Sequence, residues 1–137
     1  MPYEEQLAKA WIFSKLEKSD LERIAKAIVP RKYAKGEAIV KDGEQAVAFY
    51  VIAKGQVEVT KDSSRIATMG PGDAFGEMAL LDGFPRAGNV IALEDTECLV
   101  MTRWDFTAEL RTNPSMALAM LPVLSKRIRE LEERLVS

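Results

Sequence analysis

The residue types best suited to chemistry crowd into one short stretch, residues 70–90, G-P-G-D-A-F-G-E-M-A-L-L-D-G-F-P-R-A-G-N-V. Phe75-Gly76 is followed by Glu77-Met78-Ala79-Leu80-Leu81, which has the composition of a short helical turn. The first N–H groups of such a turn have no intrahelical acceptor and can face an anion. Gly76 carries no Cβ, so the backbone there can approach a ligand closely. Nine residues after Glu77 stands Arg86, whose planar fork matches phosphate oxygens. Glu77 only accepts when ionised, so it suits a ligand hydroxyl. An anion site beside a hydroxyl-binding carboxylate describes a sugar phosphate or a nucleotide. An ordinary Glu–Arg ion pair is the commoner fate of two such residues, and spacing alone leaves both readings open.

The rest of the composition narrows the choice. Among 137 residues there is no histidine and one cysteine, Cys98. That excludes His-based nucleophilic or acid–base catalysis and His-ligated zinc or haem. It also excludes an intrachain disulfide and a Cys-cluster metal site. No Asp/Glu constellation stands out from turn and surface positions, so no catalytic residue, no metal and no cofactor is expected. The 19 basic and 21 acidic residues give a net charge of −2. With no long basic stripe, nucleic acid is not expected as a direct partner. The densest basic cluster, Arg31, Lys32 and Lys35, reads as a solvated strand edge. The longest apolar run, Ala46 to Ala53, is too short to cross a membrane. No signal peptide is visible at Met1 to Gln6, so a cytoplasmic, soluble protein is expected. Cys98 reads as a buried small hydrophobe.

The elements that must position Glu77 and Arg86 follow from the glycines. All eight fall between Gly36 and Gly88. Glycine disfavours helix interiors and marks turns, so helices are expected at both ends and strands between. The whole chain, 1–137, is expected to be one domain. Residues 1–30 hold N-terminal helices, 31–101 a β-roll and 102–137 C-terminal helices. Leu7, Trp11 and Ile12 form a first stripe. A second helix is predicted to begin near Ser19, on the capping-box spacing of Ser19 and Glu22, and Pro30 stops it. Segments 38–41, 46–53, 56–60, 65–69, 88–93 and 97–101 read as strands. Val57 and Val59 share one face, with Glu58 and Thr60 on the other, as in a sheet wetted on one side. Thr102 to Asp105 offers a capped helix start. Pro122 predicts a break between a short helix near 115–121 and a longer one after it. Leu121, Leu124, Ile128, Leu131 and Leu135 form a heptad seam that either packs on the roll or pairs with a second copy.

At residues 75–90 the sequence resembles the phosphate-binding cassette of the cyclic nucleotide-binding domain family, which includes the catabolite activator protein and the protein kinase A regulatory subunit. The likeness extends to Lys35-Gly36-Glu37, Asp42-Gly43-Glu44, Phe49-Tyr50-Val51-Ile52, Lys54 to Val59 and Gly70 to Asp73, and covers nearly the whole chain. The resemblance implies a mainly β fold with flanking α: an eight-stranded antiparallel jelly-roll barrel with N-terminal helices and a C-terminal helix pair. It implies that Glu77 accepts the ribose 2′-hydroxyl and that Arg86 pairs with the cyclic phosphate. Gly76, Met78, Ala79 and Ala87 would complete the phosphate cradle. Val57, Val59, Ile66, Ala67 and Asn89 would lie at the base pocket. Arg127, Leu131 and Glu132 would approach from the last helix.

The family pattern usually has a small residue after the arginine, then Ala, then Thr or Ser. This chain has Ala87-Gly88-Asn89. Ala87 lacks the hydroxyl that helps hold guanine, so the resemblance implies cAMP, with cGMP less favoured. Gly88 is expected to loosen the strand after Arg86. The function implied is a non-enzymatic cAMP sensor that moves its C-terminal helix and forms a homodimer through Leu124, Ile128, Leu131 and Leu135. The alternative is a dimeric interaction or scaffold domain of the same fold, its pocket empty or holding another small molecule. The chain ends at Ser137, before a helix-turn-helix could follow, so it is not expected to bind operator DNA alone.

Overall fold

A computed structural model of the chain describes residues 3–83, 86 and 88–136. Eight antiparallel strands form two four-stranded sheets. The strands are β1 Val29–Tyr33, β2 Ala38–Val40, β3 Ala48–Lys54, β4 Val57–Lys61, β5 Ser64–Met69, β6 Ala74–Phe75, β7 Asn89–Ala92 and β8 Thr96–Thr102. One sheet runs β1-β8-β3-β6 and the other β2-β7-β4-β5. The mainly β roll with flanking helices is therefore as expected. The strand pairings among the described residues give two sheets and not one closed barrel.

The helices are α1 Glu4–Ala8, α2 Lys18–Ala25, α3 Arg103–Thr112 and α4 Ser115–Val136, with 3-10 turns at Trp11–Phe13 and Glu77–Leu80. The first sheet has two buried faces, which explains the long apolar runs in β3 and β8. Phe49, Val51, Leu99 and Met101 turn toward the helices and pack with Leu7, Phe13, Phe106 and Met116. Ala48, Ile52, Cys98 and Val100 turn the other way, toward Val40, Val57 and Val90 of the second sheet. Alternation along each strand makes this possible. Cys98 is fully buried, and burial pushes its thiol up to about 12, as an inert core residue requires.

Four local expectations need correction. The helix expected near Ser19 does begin there, at Lys18, but its capping box is Glu17 with Asp20 and not Ser19 with Glu22: Glu17 N donates to Asp20 Oδ2 at 3.2 Å. Asp20 also pairs with Arg23. The same helix ends at Ala25, well before Pro30. Pro30 instead lies in β1, an edge strand that pairs only with β8, where a missing N–H can be tolerated. That exposed edge carries Arg31 and Lys32, as their polarity suggested. Two strands escaped the periodic pattern, β1 and the two-residue β6. Finally, Pro122 does not divide the last helix, which is continuous from Ser115 to Val136. Proline's fixed φ is helical, and removing one N–H bond does not stop a helix whose upstream turns are anchored. Upstream, Met116 and Met120 are buried in the core.

Candidate functional site

The site is built where β6 ends against β3. Tyr50 and Val51 of β3 pair with Phe75 and Ala74, so Gly76 emerges beside Ala48. Gly76 has φ +80°, a left-handed conformation that opens the 3-10 turn Glu77–Leu80. A Cβ at Gly76 would lie 2.7 Å from Arg86 Nη1 and 3.0 Å from Ala48 O. Glycine is therefore required there twice, for its conformation and for its space. Ala79 and Leu80 are buried and hold the turn to the roll, while Met78 is exposed.

Arg86 is half-buried against this turn. Its Nη2 donates to Ala48 O at 2.6 Å, and its guanidinium lies 5.9 Å from the centre of the Tyr50 ring. Tyr50 in turn stacks on Phe75, with ring centres 4.8 Å apart. Burial pulls the Arg86 pKa down, opposed by Tyr50, Glu77 and Glu44. Burial likewise raises that of Tyr50. The main chain at Arg86 is clasped from both sides: Arg86 N donates to Glu44 O at 2.7 Å, and Gly43 N donates to Arg86 O at 2.9 Å. The Asp42–Glu44 turn thus fixes the backbone from which the guanidinium projects.

A cavity of about 310 Å³ opens between the second sheet and this turn. Val40, Val59, Ile66, Met69 and Phe75 give it apolar walls, and Gly76 and Arg86 stand at one end. Its size is at the lower end for small-molecule pockets, and the pairing of apolar walls with the cations Arg86 and Lys61 suits a flat ring joined to an anion. Glu77 belongs to the adjoining turn, and its Oε1 accepts from Trp11 Nε1 at 3.1 Å.

The sequence candidates divide among several places. Gly76, Arg86, Val59 and Ile66 line the cavity together. Val57 is fully buried in the core between the sheets and does not line it. Ala67 pairs with Val59 across β4 and β5, outside the lining. Asn89 braces the scaffold: its Oδ1 accepts from Asp42 N at 2.9 Å, and its Nδ2 lies 3.5 Å from Thr60 Oγ1. Gly88 has a packing reason, since a Cβ there would meet Thr60 O at 2.5 Å. Ala87 lies outside the described residues. On α4, Arg127 stacks over the Trp11 ring at 5.1 Å, and Leu131 and Glu132 are exposed.

Tyr50, Ala48 and Trp11 were missed as members of the site. The Ala48 carbonyl has no sequence signal. Trp11 had one, an aromatic with a polar N–H on an otherwise aliphatic stripe.

Among the described residues no cluster of His, Cys, Asp and Glu could hold a metal ion, and no helix is long and apolar enough to cross a membrane.

Known proteins share both sequence and fold with this chain. It is 36% identical over 107 residues to the cyclic AMP receptor protein of Thermus thermophilus, covering 74% of this chain and 50% of that protein. It is 40% identical over 93 residues to the cAMP-dependent protein kinase regulatory subunit of Debaryomyces hansenii, covering 67% of this chain and 21% of that one. The chain thus spans half or less of these relatives. Among solved structures, the Thermus thermophilus catabolite activator protein superposes with a TM-score of 0.74 at 31% identity, over 92% of this chain and 62% of that one. The N-terminal domain of a Streptomyces coelicolor transcriptional regulator shares the fold, with a TM-score of 0.86 at 23% identity, covering 93% and 95% of the two chains. Residues 30–113 match the cyclic nucleotide-binding domain family, and the chain belongs to that family.

Proposed function

We propose that this domain binds cAMP, in preference to cGMP, and reports the bound state through α4 without catalysing a reaction. The observation that carries the reading is Arg86, a half-buried cation packed against Gly76 at one end of an apolar cavity. In this reading Arg86 takes the cyclic phosphate, Glu77 the ribose 2′-hydroxyl and the walls at Val59 and Ile66 the base. The N–H of Met78 and the residues Ala79 and Ala87 complete the cradle, Ala79 N donating to Gly76 O at 3.0 Å within the turn. Family membership and the two cAMP-related relatives support the nucleotide class.

The proposal includes a homodimer. On α4, Ile128, Leu131 and Leu135 are 57, 45 and 84% exposed, with Leu124 half-buried beside them. A second copy of the same helix would cover that seam.

Titration calorimetry tests the ligand. The wild type should release heat with cAMP and bind it more tightly than cGMP. Arg86→Ala should weaken cAMP by about 2–5 kcal/mol, the usual range for removing one partner of a buried charge pair. No binding by the wild type, or equal affinity in the variant, would sink the proposal.

A further inference from the structure

Trp11 touches two groups that the sequence separates widely. Its indole N–H donates to Glu77 Oε1 at 3.1 Å, and its ring face carries the Arg127 guanidinium at 5.1 Å. Glu77 opens the 3-10 turn of the site, and Arg127 lies on the exposed side of α4. One side chain therefore joins the turn to the long helix through two different interactions. The N–H lies in the plane of the indole and the cation sits over its face, so neither contact blocks the other.

The main chain at Trp11 is firmly placed. Ile12 and Phe13, its neighbours in the same 3-10 turn, are buried in the core. Phe13 packs edge-on against Phe49 at 5.5 Å and also against Phe106 at 5.8 Å. Phe49 adjoins Ala48, whose carbonyl holds Arg86. The indole is thus presented by a turn packed on β3, the strand whose Ala48 carbonyl holds Arg86.

A carboxylate has about four acceptor directions. The indole takes one on Oε1, which restricts the rotation of Glu77 and leaves acceptor capacity for a ligand hydroxyl. We infer that Trp11 is a positioning residue that orients Glu77 for the ribose 2′-hydroxyl and ties that acceptor to α4 through Arg127. The inference rests on the nucleotide reading above for the identity of the hydroxyl. The bracket between Glu77 and α4 does not.

Two measurements test it. Trp11→Phe removes the N–H and keeps an aromatic face. By calorimetry it should weaken cAMP about three- to tenfold and leave 2′-deoxy-cAMP, which lacks the hydroxyl, within twofold of wild type. Unchanged cAMP affinity, or equal weakening of both nucleotides, overturns the positioning role. The second measurement needs no ligand. Amide hydrogen exchange in residues 123–130 should rise several-fold in Trp11→Phe, Glu77→Ala and Arg127→Gln alike. The double variant Trp11→Phe/Glu77→Ala should show no more than either single. Arg127 is exposed, so Arg127→Gln keeps the fold even if a Trp11 variant does not. Exchange unchanged in all three, or effects that add in the double variant, overturns the bracket. Failure of wild-type binding would retract the nucleotide reading, and the exchange results would still decide the bracket.

Discussion

The Arg86 guanidinium is held to the Ala48 main-chain oxygen by a 2.6 Å hydrogen bond from Nη2. This contact, with a side-chain hydrogen bond to Tyr50, orients the fork beside Gly76, and in the proposed complex the same fork also takes the phosphate. A lysine could not do both jobs, because a point charge on a flexible stem cannot grip a carbonyl and a phosphate at once. Arg86→Lys should therefore lower cAMP affinity about ten- to a hundredfold, corresponding to roughly 1.4–2.8 kcal/mol. Thermal unfolding should shift little. Calorimetry and a melting curve on the same sample check both halves; full retention of affinity would contradict the role of the fork.

Gly76 and Gly43 separate conformation from space. Both have positive φ, +80° and +84°. A Cβ at Gly43 would meet nothing within 4 Å, whereas at Gly76 it meets Arg86 and Ala48. Gly43→Ala should cost about 1–2 kcal/mol of stability, the ordinary penalty for the left-handed region. Gly76→Ala should cost more and also displace the guanidinium, so nucleotide binding should fall as well. Chemical denaturation and titration of the two variants give the comparison. Wild-type affinity in Gly76→Ala would show that space at Gly76 is irrelevant to the site.

The seam on α4 predicts a change of assembly. Leu131→Lys places a charge in the middle of Ile128, Leu131 and Leu135. Light scattering should show a dimer for the wild type and a monomer for the variant, with circular dichroism unchanged because Leu131 is exposed in the single chain. The same mass for both proteins would remove the dimer from the proposal.

Alkaline pH should weaken the fold through Cys98. The native thiol is raised by burial to about 12 from an ordinary value of 9.0. Below pH 9 both native and unfolded chains keep the proton, and the contribution is intact. Above it the unfolded chain ionises first, so stability falls by up to about 1.4 kcal/mol per pH unit until the native thiol titrates. Tyr33, raised chiefly by burial to about 12 from 10.0, adds a second loss that starts one unit later. Denaturant unfolding from pH 8 to 10.5 should show the decline. Cys98→Val should flatten it between pH 9 and 10, and an unaltered slope in that variant would assign the loss elsewhere.

The sequence was most legible where one local feature decides the structure. Glycine placement marked the roll, and the Thr102 cap did start α3, with Asp105 N donating to Thr102 Oγ1 at 3.3 Å. The Gly76–Glu77 turn and Arg86 could be singled out from residue type. Legibility failed where distant contacts decide. Asn89 looked available for a base, yet its Oδ1 accepts from Asp42 N in the turn after the neighbouring strand β2. Gly88 looked like a loosening residue, yet it allows close approach to Thr60 O. Pro122 looked like a helix break because its local effect is strong. The competing anchors, Met116 and Met120, act through tertiary packing that no local window shows. Trp11 and Glu77 are 66 positions apart, and no spacing rule connects them.

Pro122 has a mechanical consequence. It stands just past the last buried anchor of α4, at the point where the helix lacks one backbone hydrogen bond. Residues 123–136 extend about 21 Å beyond the proline, and in the proposed sensor they would act as a lever with its fulcrum there. A tilt of only about 10° there would carry the tip near Leu135 by roughly 4 Å, most of one helical turn. Arg127 meets Trp11 about a third of the way along this arm. A displacement of about an ångström at that point is magnified roughly threefold at the far end. The amplification is set by the placement of a proline and two methionines, outside the cavity altogether.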